Sequence, residues 1–362
     1  MPSIACFVSS HGFGHAARAS AVMAAIQTRS PETHFEVFTQ SPEWLFRDSL
    51  LGRFTYHNLA CDVGVVQRSP LEEDLPATLE RLAAFLPFDN ALIDSLAEKL
   101  TALDCRMVIC DISPLGIAAA RRAGVPSILI ENFTWDWIYA GYLDAEPRFA
   151  PYIAALSDLF RSADYHIQTE PVCQRVAWAA LVTPPICRQP RLPAQETRRR
   201  LGIPPDARVA LFTMGGIQST LALTQHSSMP PNLYFVIPGA KAGGARIPRC
   251  IPLPFHSDFY HPDLVAASDV VIGKAGYSTL AEAYLANVPF VFIARPRFRE
   301  TPSLVRFILE ELGGFEIPEA GFQDGSWLQF LPHLLEEPRR SLLRQNGAEL
   351  AAEFILNLYS SS

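Results

Sequence analysis

This sequence predicts an α/β protein of two Rossmann-like domains facing across a cleft, and three observations carry that expectation. Short apolar runs that read as buried strands alternate with helical patterns along most of the chain, the mark of parallel sheets with crossover helices. The alternation lapses in a Pro-rich stretch, with Pro184, Pro185, Pro190 and Pro193, and then restarts, so the inter-domain linker is expected near 185–195. The length, 362 residues, suits two domains at roughly 100–200 residues each. The expected boundaries are 1–188 and 189–338, followed by a terminal piece, 339–362.

The elements follow in order. Ile4–Val8 is a continuous apolar run, then comes a Gly-rich turn, then an Ala-rich helical pattern to about Ile26. Phe35–Thr39 reads as a second strand, with a helix around Pro42–Leu50. Residues 71–103 hold one or two amphipathic helices, with Leu79, Leu82, Ala83 and Leu86 at helical spacing. Met107–Asp111, Ser127–Glu131 and Tyr165–Thr169 are further strands, with helices at Pro114–Ala123 and about 149–163 between them. In the second half, strands are expected at Val209–Thr213, Leu233–Pro238, Cys250–Pro252, Val270–Gly273 and Phe290–Ala294. Helices are expected at Leu264–Ala267, Tyr277–Ala286, and near 302–312, 326–336 and 339–358.

Composition excludes some classes. A net charge of −7 argues against a nucleic-acid partner, which calls for a basic field. The run Arg198-Arg199-Arg200 reads as a solvated face. Seven cysteines without a CxxC pair read as buried reduced thiols rather than a zinc site or a disulfide framework. No stretch approaches 18 apolar residues and no secretory leader is visible, so a reduced cytoplasm is the default expectation. Peripheral contact with a membrane stays open.

Two motifs carry the chemistry. In Val270-Val-Ile-Gly-Lys-Ala-Gly-Tyr-Ser-Thr-Leu-Ala-Glu282 a strand runs through a turn into a helix start. Free N–H groups there favour a phosphate or diphosphate. Gly276 lets the backbone come close, Ser278 and Thr279 offer hydroxyls, and Lys274 offers charge. Glu282, one turn on from Ser278, can accept both hydroxyls of a ribose. The competing structural reading is that Ser278 and Thr279 cap the helix and Glu282 completes a capping box. The second motif, Gly12-Phe-Gly14-His15-Ala-Ala-Arg18, follows the first strand. Its glycines turn the chain at the strand's C-terminal end, where open α/β sheets bind ligands, and His15 is placed to act as a general base. A helix-capping His on a structural glycine turn is the alternative. The third position of a dinucleotide fingerprint is Ala17, which weakens a dehydrogenase reading.

Weaker candidates sit at other strand ends. Gly215 and Gly216 follow Val209–Thr213 and can pass close to phosphates; Phe255 can pack on a base; Glu300 can accept from sugar hydroxyls. Asp111 ends its strand, and Asn132, Trp135 and Asp136 follow another. Asp111 or Asp136 can orient His15, while Trp135 and Trp137 can form an acceptor wall or simply cover the sheet edge.

With these pieces in order, the chain resembles the GT-B superfamily of glycosyltransferases, of the kind related to UDP-sugar transferases and the peptidoglycan GlcNAc transferase. The UDP-glycosyltransferase signature has the form His-Cys-Gly-Trp-Asn-Ser-Thr-Leu-Glu. Lys274-Ala-Gly276-Tyr277-Ser278-Thr279-Leu-Ala-Glu282 has the same length and keeps the Gly, the aromatic and the Glu. Lys274 stands where that family has a phosphate-binding His, and Ser278 where it has Asn. The N-terminal motif is similar to the domain fused to plant arabinokinases and to the Gly-x-Gly-His-x-x-Arg of UDP-sugar hydrolases of pseudaminic acid synthesis. The resemblance implies an N-terminal acceptor domain, a second donor domain, and a terminal helix that packs back toward the first. It implies Gly12, Gly14, Gly215, Gly216, Phe255, Lys274, Gly276, Tyr277, Ser278, Thr279, Glu282 and Glu300 at the donor, and Asn132, Trp135 and Asp136 at the acceptor. His15 and Asp111 would be catalytic. The implied reaction is inverting transfer from a nucleotide-sugar, UDP-type, to a small or lipid-linked acceptor, without a cofactor or an essential metal; no Asp-x-Asp motif is present. A nucleotide-sugar hydrolase and a non-catalytic nucleotide-sugar sensor or partner subunit are the alternatives.

Overall fold

A computed structural model of the protein describes residues 3–69, 72–215, 232–240, 248–318, 320–321, 326–336 and 342–361. The chain divides into two compact units. The first comprises 1–187, 297–300 and 346–362; the second comprises 188–296 and 301–345.

The first unit is built on β1 (Ser3–Val8), β2 (His34–Thr39), β3 (Phe54–Asn58), a short antiparallel pair β4 (Gln67–Ser69) and β5 (Glu72–Glu73), then β6 (Cys105–Asp111), β7 (Ser127–Glu131), β8 (Tyr165–Thr169) and β9 (Leu181–Thr183). Seven of these form one parallel sheet in the order β3-β2-β1-β6-β7-β8-β9. The central strands are apolar on both faces because both faces are covered. Alternate residues feed two separate cores: Ala5, Phe7, Val108 and Cys110 one, Ile4, Cys6, Val8, Met107 and Ile109 the other. The first core meets the helices Leu75–Phe85, Asn90–Ala102, Pro114–Ala123 and Ala150–Arg161. The second meets the helix Phe13–Arg29 through Ala16, Ala19, Val22 and Ile26, and the helix Gly347–Ser361 through Ala348, Ala351, Ala352 and Ile355.

The second unit holds β10 (Arg208–Thr213), β11 (Leu233–Pro238), β12 (Cys250–Leu253), β13 (Val270–Lys274) and β14 (Phe290–Ile293), parallel in the order β12-β11-β10-β13-β14. Both units are thus α/β with parallel sheets, as the alternating pattern predicts. In both, the strand order reverses beside the first strand of the unit: between β1 and β6, and between β10 and β13. Such a switch point leaves a crevice at the strands' C-terminal ends.

Several elements depart from the sequence pattern. β3 and β9 are edge strands, half-buried or exposed at most positions, and neither is among the strands the sequence predicts. The helix Trp135–Ala140 is not among the helices the sequence predicts, and neither is Ala194–Arg200, which starts at the end of the expected linker. The terminal helix starts at Gly347, not near 339. Asn346 sets that start: its Oδ1 accepts from the N–H of Ala348 at 3.0 Å, and its amide also bonds both backbone groups of Cys187. Arg198 is not on a solvated face. It reaches Ala267 O, Ala207 O and Asp269, tying its helix to the second unit's sheet.

Candidate functional site

The switch point of the first sheet gathers a buried polar network. Val8 ends β1 directly beside Asp111, which ends β6. The chain then turns at Gly12 (φ 75°), a conformation that favours glycine although no described residue lies within 4 Å of where a Cβ would sit. Gly12 is also the N-cap of the helix Phe13–Arg29, so Gly14 falls in that helix's first turn and His15 in the same turn. His15 Nδ1 lies 2.8 Å from Asp111 Oδ1. Arg18, three residues on and on the same helix face, forks onto Asp111: Nε to Oδ2 at 2.8 Å and a terminal nitrogen to Oδ1 at 2.7 Å. Its other terminal nitrogen donates to Asn132 Oδ1 at 2.6 Å, and Asn132 Nδ2 donates to Glu300 Oε1 at 2.7 Å.

The charges settle the protonation pattern. Burial pushes the Asp111 carboxyl up, but the Arg18 charge and the hydrogen bonds from His15 and Arg18 outweigh it and hold it below the ordinary range. An ionised Asp111 only accepts, so Nδ1 of His15 carries a proton directed at it. A terminal nitrogen of Arg18 also stands 3.3 Å from His15 Nδ1, but both are donors, and that approach follows from their sharing Asp111 Oδ1.

Around this network lie aromatic rings. His15 meets Phe133 edge-on at 5.9 Å and Trp135 at 6.1 Å; His11 meets Trp135 at 5.1 Å. Trp135 is 1% exposed and its indole N–H donates to Asp62 Oδ2 at 2.6 Å, so it is a core ring rather than an open wall. Burial pushes the Asp62 carboxyl up, only partly offset by Ser9, His15 and Trp135. Among the described residues Asp136 makes no bond to the His15 network, and burial pushes its carboxyl up.

The second sheet's switch point presents the other motif. Thr213 pairs with Gly273, and a Cβ on Gly273 would lie 1.8 Å from Thr213 O, so the two strands meet this closely only through glycine. Past β10 the chain turns at Gly215 (φ 64°), and the Lys274 side chain crosses that turn, its Nζ 4.0 Å from where a Gly215 Cβ would sit. Gly216 lies outside the described residues. The helix Tyr277–Ala286 takes Gly276 as its N-cap, with no side-chain cap bond and no acid in its first turn. Ser278 and Thr279 are therefore inside the helix and the capping-box reading does not hold. Among the described residues, a side chain at Gly276 would meet only Lys274 O, at 3.7 Å, so none of them demands glycine there.

Glu282 is already engaged. It accepts from Arg188 Nε at 3.0 Å and lies 2.6 Å from His261 Nδ1, with 4% exposure. Burial pushes its carboxyl up, but Arg188 and His261 outweigh this and hold it low. Arg188 also lies over the ring of Tyr260, as does Arg191. Phe255 rests on the Gly239 turn, where a Cβ would lie 2.2 Å from its ring. Glu300, expected at the donor, belongs to the first unit with Asn132. Sequence reasoning missed Asp62, Arg188 and His261. Arg18 was within reach of it, through its spacing of three from His15.

No protein-family model matches the chain. It is 29% identical over 355 residues to the L-arabinokinase of Arabidopsis thaliana, an alignment that covers 97% of this chain and 34% of that protein, so it spans about a third of that relative's length. It is 23% identical over 262 residues to an uncharacterized glycosyltransferase of Methanopyrus kandleri, covering 69% and 75% of the two chains. Among solved structures, the glycotransferase of kitacinnamycin superposes with a TM-score of 0.64 at 15% identity, over 98% of this chain and 99% of that one. Arabidopsis thaliana UGT89C1 complexed with UDP gives 0.59 at 12% identity, over 99% of each. Two Rossmann-like α/β lobes with parallel sheets, the GT-B fold, are what these likenesses establish.

Proposed function

We propose that this GT-B chain is a glycosyltransferase that moves a sugar from a nucleoside diphosphate, UDP first among the candidates, to an acceptor hydroxyl with inversion. The observation that carries this reading is the His15–Asp111 pair, 2.8 Å apart at the switch point of the first sheet. With Nδ1 protonated toward Asp111, Nε2 takes the acceptor's proton as its oxygen attacks the anomeric carbon and the bond to the diphosphate oxygen breaks. Because Arg18 already balances Asp111, the carboxylate serves chiefly to orient His15. In the second unit, the uncapped N–H groups of the helix Tyr277–Ala286 and the Lys274 ammonium suit the departing diphosphate. In this scheme Ser278 and Thr279 add hydroxyls, no metal is required, and the acceptor is a small or lipid-linked alcohol. Fold neighbours complexed with UDP and with DTDP support a nucleoside diphosphate as the leaving group.

The test is thermal stabilisation by UDP, GDP, dTDP and NAD, followed by turnover. One nucleoside diphosphate is expected to raise the Tm of the wild type and to lose that effect in Lys274→Ala. His15→Ala is expected to lower turnover by about 10²–10⁴-fold while leaving nucleotide affinity near the wild-type value. Fast UDP release with no acceptor present would make water the acceptor and the protein a hydrolase. No shift with any diphosphate overturns the reading.

A further inference from the structure

Residues 59–66 join β3 to β4 without regular structure, yet they are tied to the C-terminal side of β2, β6 and β7. Cys61 Sγ donates to Phe38 O, and Cys61 O accepts from Ser113 Oγ, both at 3.1 Å. Gly64 O accepts from Tyr139 Oη at 2.7 Å. Between these ties lies Asp62, 8% exposed. Three donors converge on its carboxylate. Trp135 Nε1 donates to Oδ2 at 2.6 Å, and the Ser9 hydroxyl and the Ser10 N–H donate as well. Ser9 Oγ itself accepts from the His11 N–H at 3.3 Å, which leaves its own proton for Asp62. Such a ring of donors suits the anion. Burial makes that anion costly, and local costs of this kind gather at functional sites.

His15 is a neighbour of this carboxylate. Its ring lies 6.1 Å from that of Trp135, whose N–H holds Asp62, and the two titratable side chains interact electrostatically. Asp111 touches His15 more closely, but its charge is already balanced. Both its oxygens accept from Arg18, at 2.8 and 2.7 Å, so the two form a neutral unit. A terminal nitrogen of Arg18 also stands 3.3 Å from His15 Nδ1. A cation formed on His15 therefore gains little from that unit. The other titratable groups nearby do not replace Asp62. The Cys61 thiol and the Tyr139 hydroxyl face it, and burial pushes both up, so both are neutral at pH 7. His11 Nδ1 accepts from the Val65 N–H at 3.4 Å and so carries no proton there. Glu300 bonds Asn132, on the Arg18 side of the network.

We infer that Asp62 is the counter-ion of His15: it stabilises the charge His15 gains on taking up a proton, while Asp111 fixes the ring. The inference rests on His15 as the base of the proposed reaction, and it makes Asp62 a positioning residue that acts through His15. The proton itself goes from the acceptor oxygen to His15, and Asp62 takes none. The experiment is an NMR titration of the histidine ring signals in the wild type and Asp62→Asn, read beside the pH profile of turnover. The His15 signal is the one missing from His15→Ala. Losing a nearby anion disfavours the imidazolium, so the His15 midpoint is expected at lower pH in Asp62→Asn than in the wild type. The acid limb of kcat/KM is expected to move down with it. At the plateau kcat is expected to fall about 10-fold, because a weaker base takes the proton less readily, with KM near the wild-type value. Asn keeps an acceptor for the Trp135 N–H, and the Tm of the variant shows that it is folded. A merely structural role would lower turnover without moving the limb. A His15 midpoint that stays in place or rises in Asp62→Asn overturns the inference. A lowered midpoint in a protein that transfers no sugar supports the Asp62–His15 pairing and refutes the proposed reaction, so the two failures are distinct.

Discussion

Two buried carboxylates near His15 behave in opposite ways, and their difference is a matter of partners. Asp111 faces a guanidinium and is held ionised; Asp62 has an indole and a hydroxyl, and burial dominates. A raised native pKa means that ionised Asp62 costs stability at neutral pH, and that the cost is relieved as pH falls through its native value toward 3.8. Asp62→Asn, which keeps an acceptor for the Trp135 N–H, is therefore expected to raise the Tm by a few degrees at pH 7, with the advantage shrinking on acidification. Thermal melts of both proteins between pH 7 and 4 check this; a gap that widens toward acid would rule it out. At this scale the sequence was readable only where position along an element fixes a partner. His15, Asp111 and Arg18 follow from a strand end and a helix face. Asp62 sits in a segment without regular structure, where no periodicity points to burial.

At the scale of elements, the turn from β13 into its helix carries two glycines with different duties. Gly273 is required by the protein: an added methyl would run into Thr213 O. Gly276 has an ordinary extended φ of −142° and no close neighbour among the described residues. Gly273→Ala is expected to cost about 3 kcal/mol or more, as overpacking against backbone cannot relax cheaply. Gly276→Ala is expected to fold normally and to weaken UDP binding about 10-fold, which is 1.4 kcal/mol at the phosphate. Urea unfolding and UDP titration of the pair separate the two roles; equal effects on folding would show that both are structural. The strand–turn–helix itself was plain in the sequence, down to the helix bounds Tyr277–Ala286. The use of Glu282 was not, because its partners Arg188 and His261 come from distant chain that no local pattern links to it.

At the scale of the whole chain, the alternation of apolar strands and helices revealed both sheets, and of the edge strands β3 and β9 escaped it while β12 and β14 did not. What spacing could not reveal is how the first unit is finished. Its second core is closed by the last helix, Gly347–Ser361, whose first residue is packed so tightly that a Cβ there would lie 2.0 Å from Pro184 O. Deleting 347–362 is expected to remove slow amide exchange from the helix Phe13–Arg29 while β10 in the second unit keeps its protection. Hydrogen exchange read by mass spectrometry decides, and unchanged protection of Phe13–Arg29 would show that the terminal helix is dispensable.

The Cys187–Asn346 clasp has a consequence during synthesis. The chain leaves the first unit at Cys187 and, apart from the short return at 297–300, rejoins it at Asn346, so the unit translated first is the unit completed last. At about 5–20 residues per second the ribosome spends roughly 8–30 s on 188–345, and through that interval the face made by Ile4, Cys6, Val8 and Ile109 lacks its final cover. The nascent protein thus passes through a long, sticky half-built stage in which a holdase chaperone has a defined patch to guard.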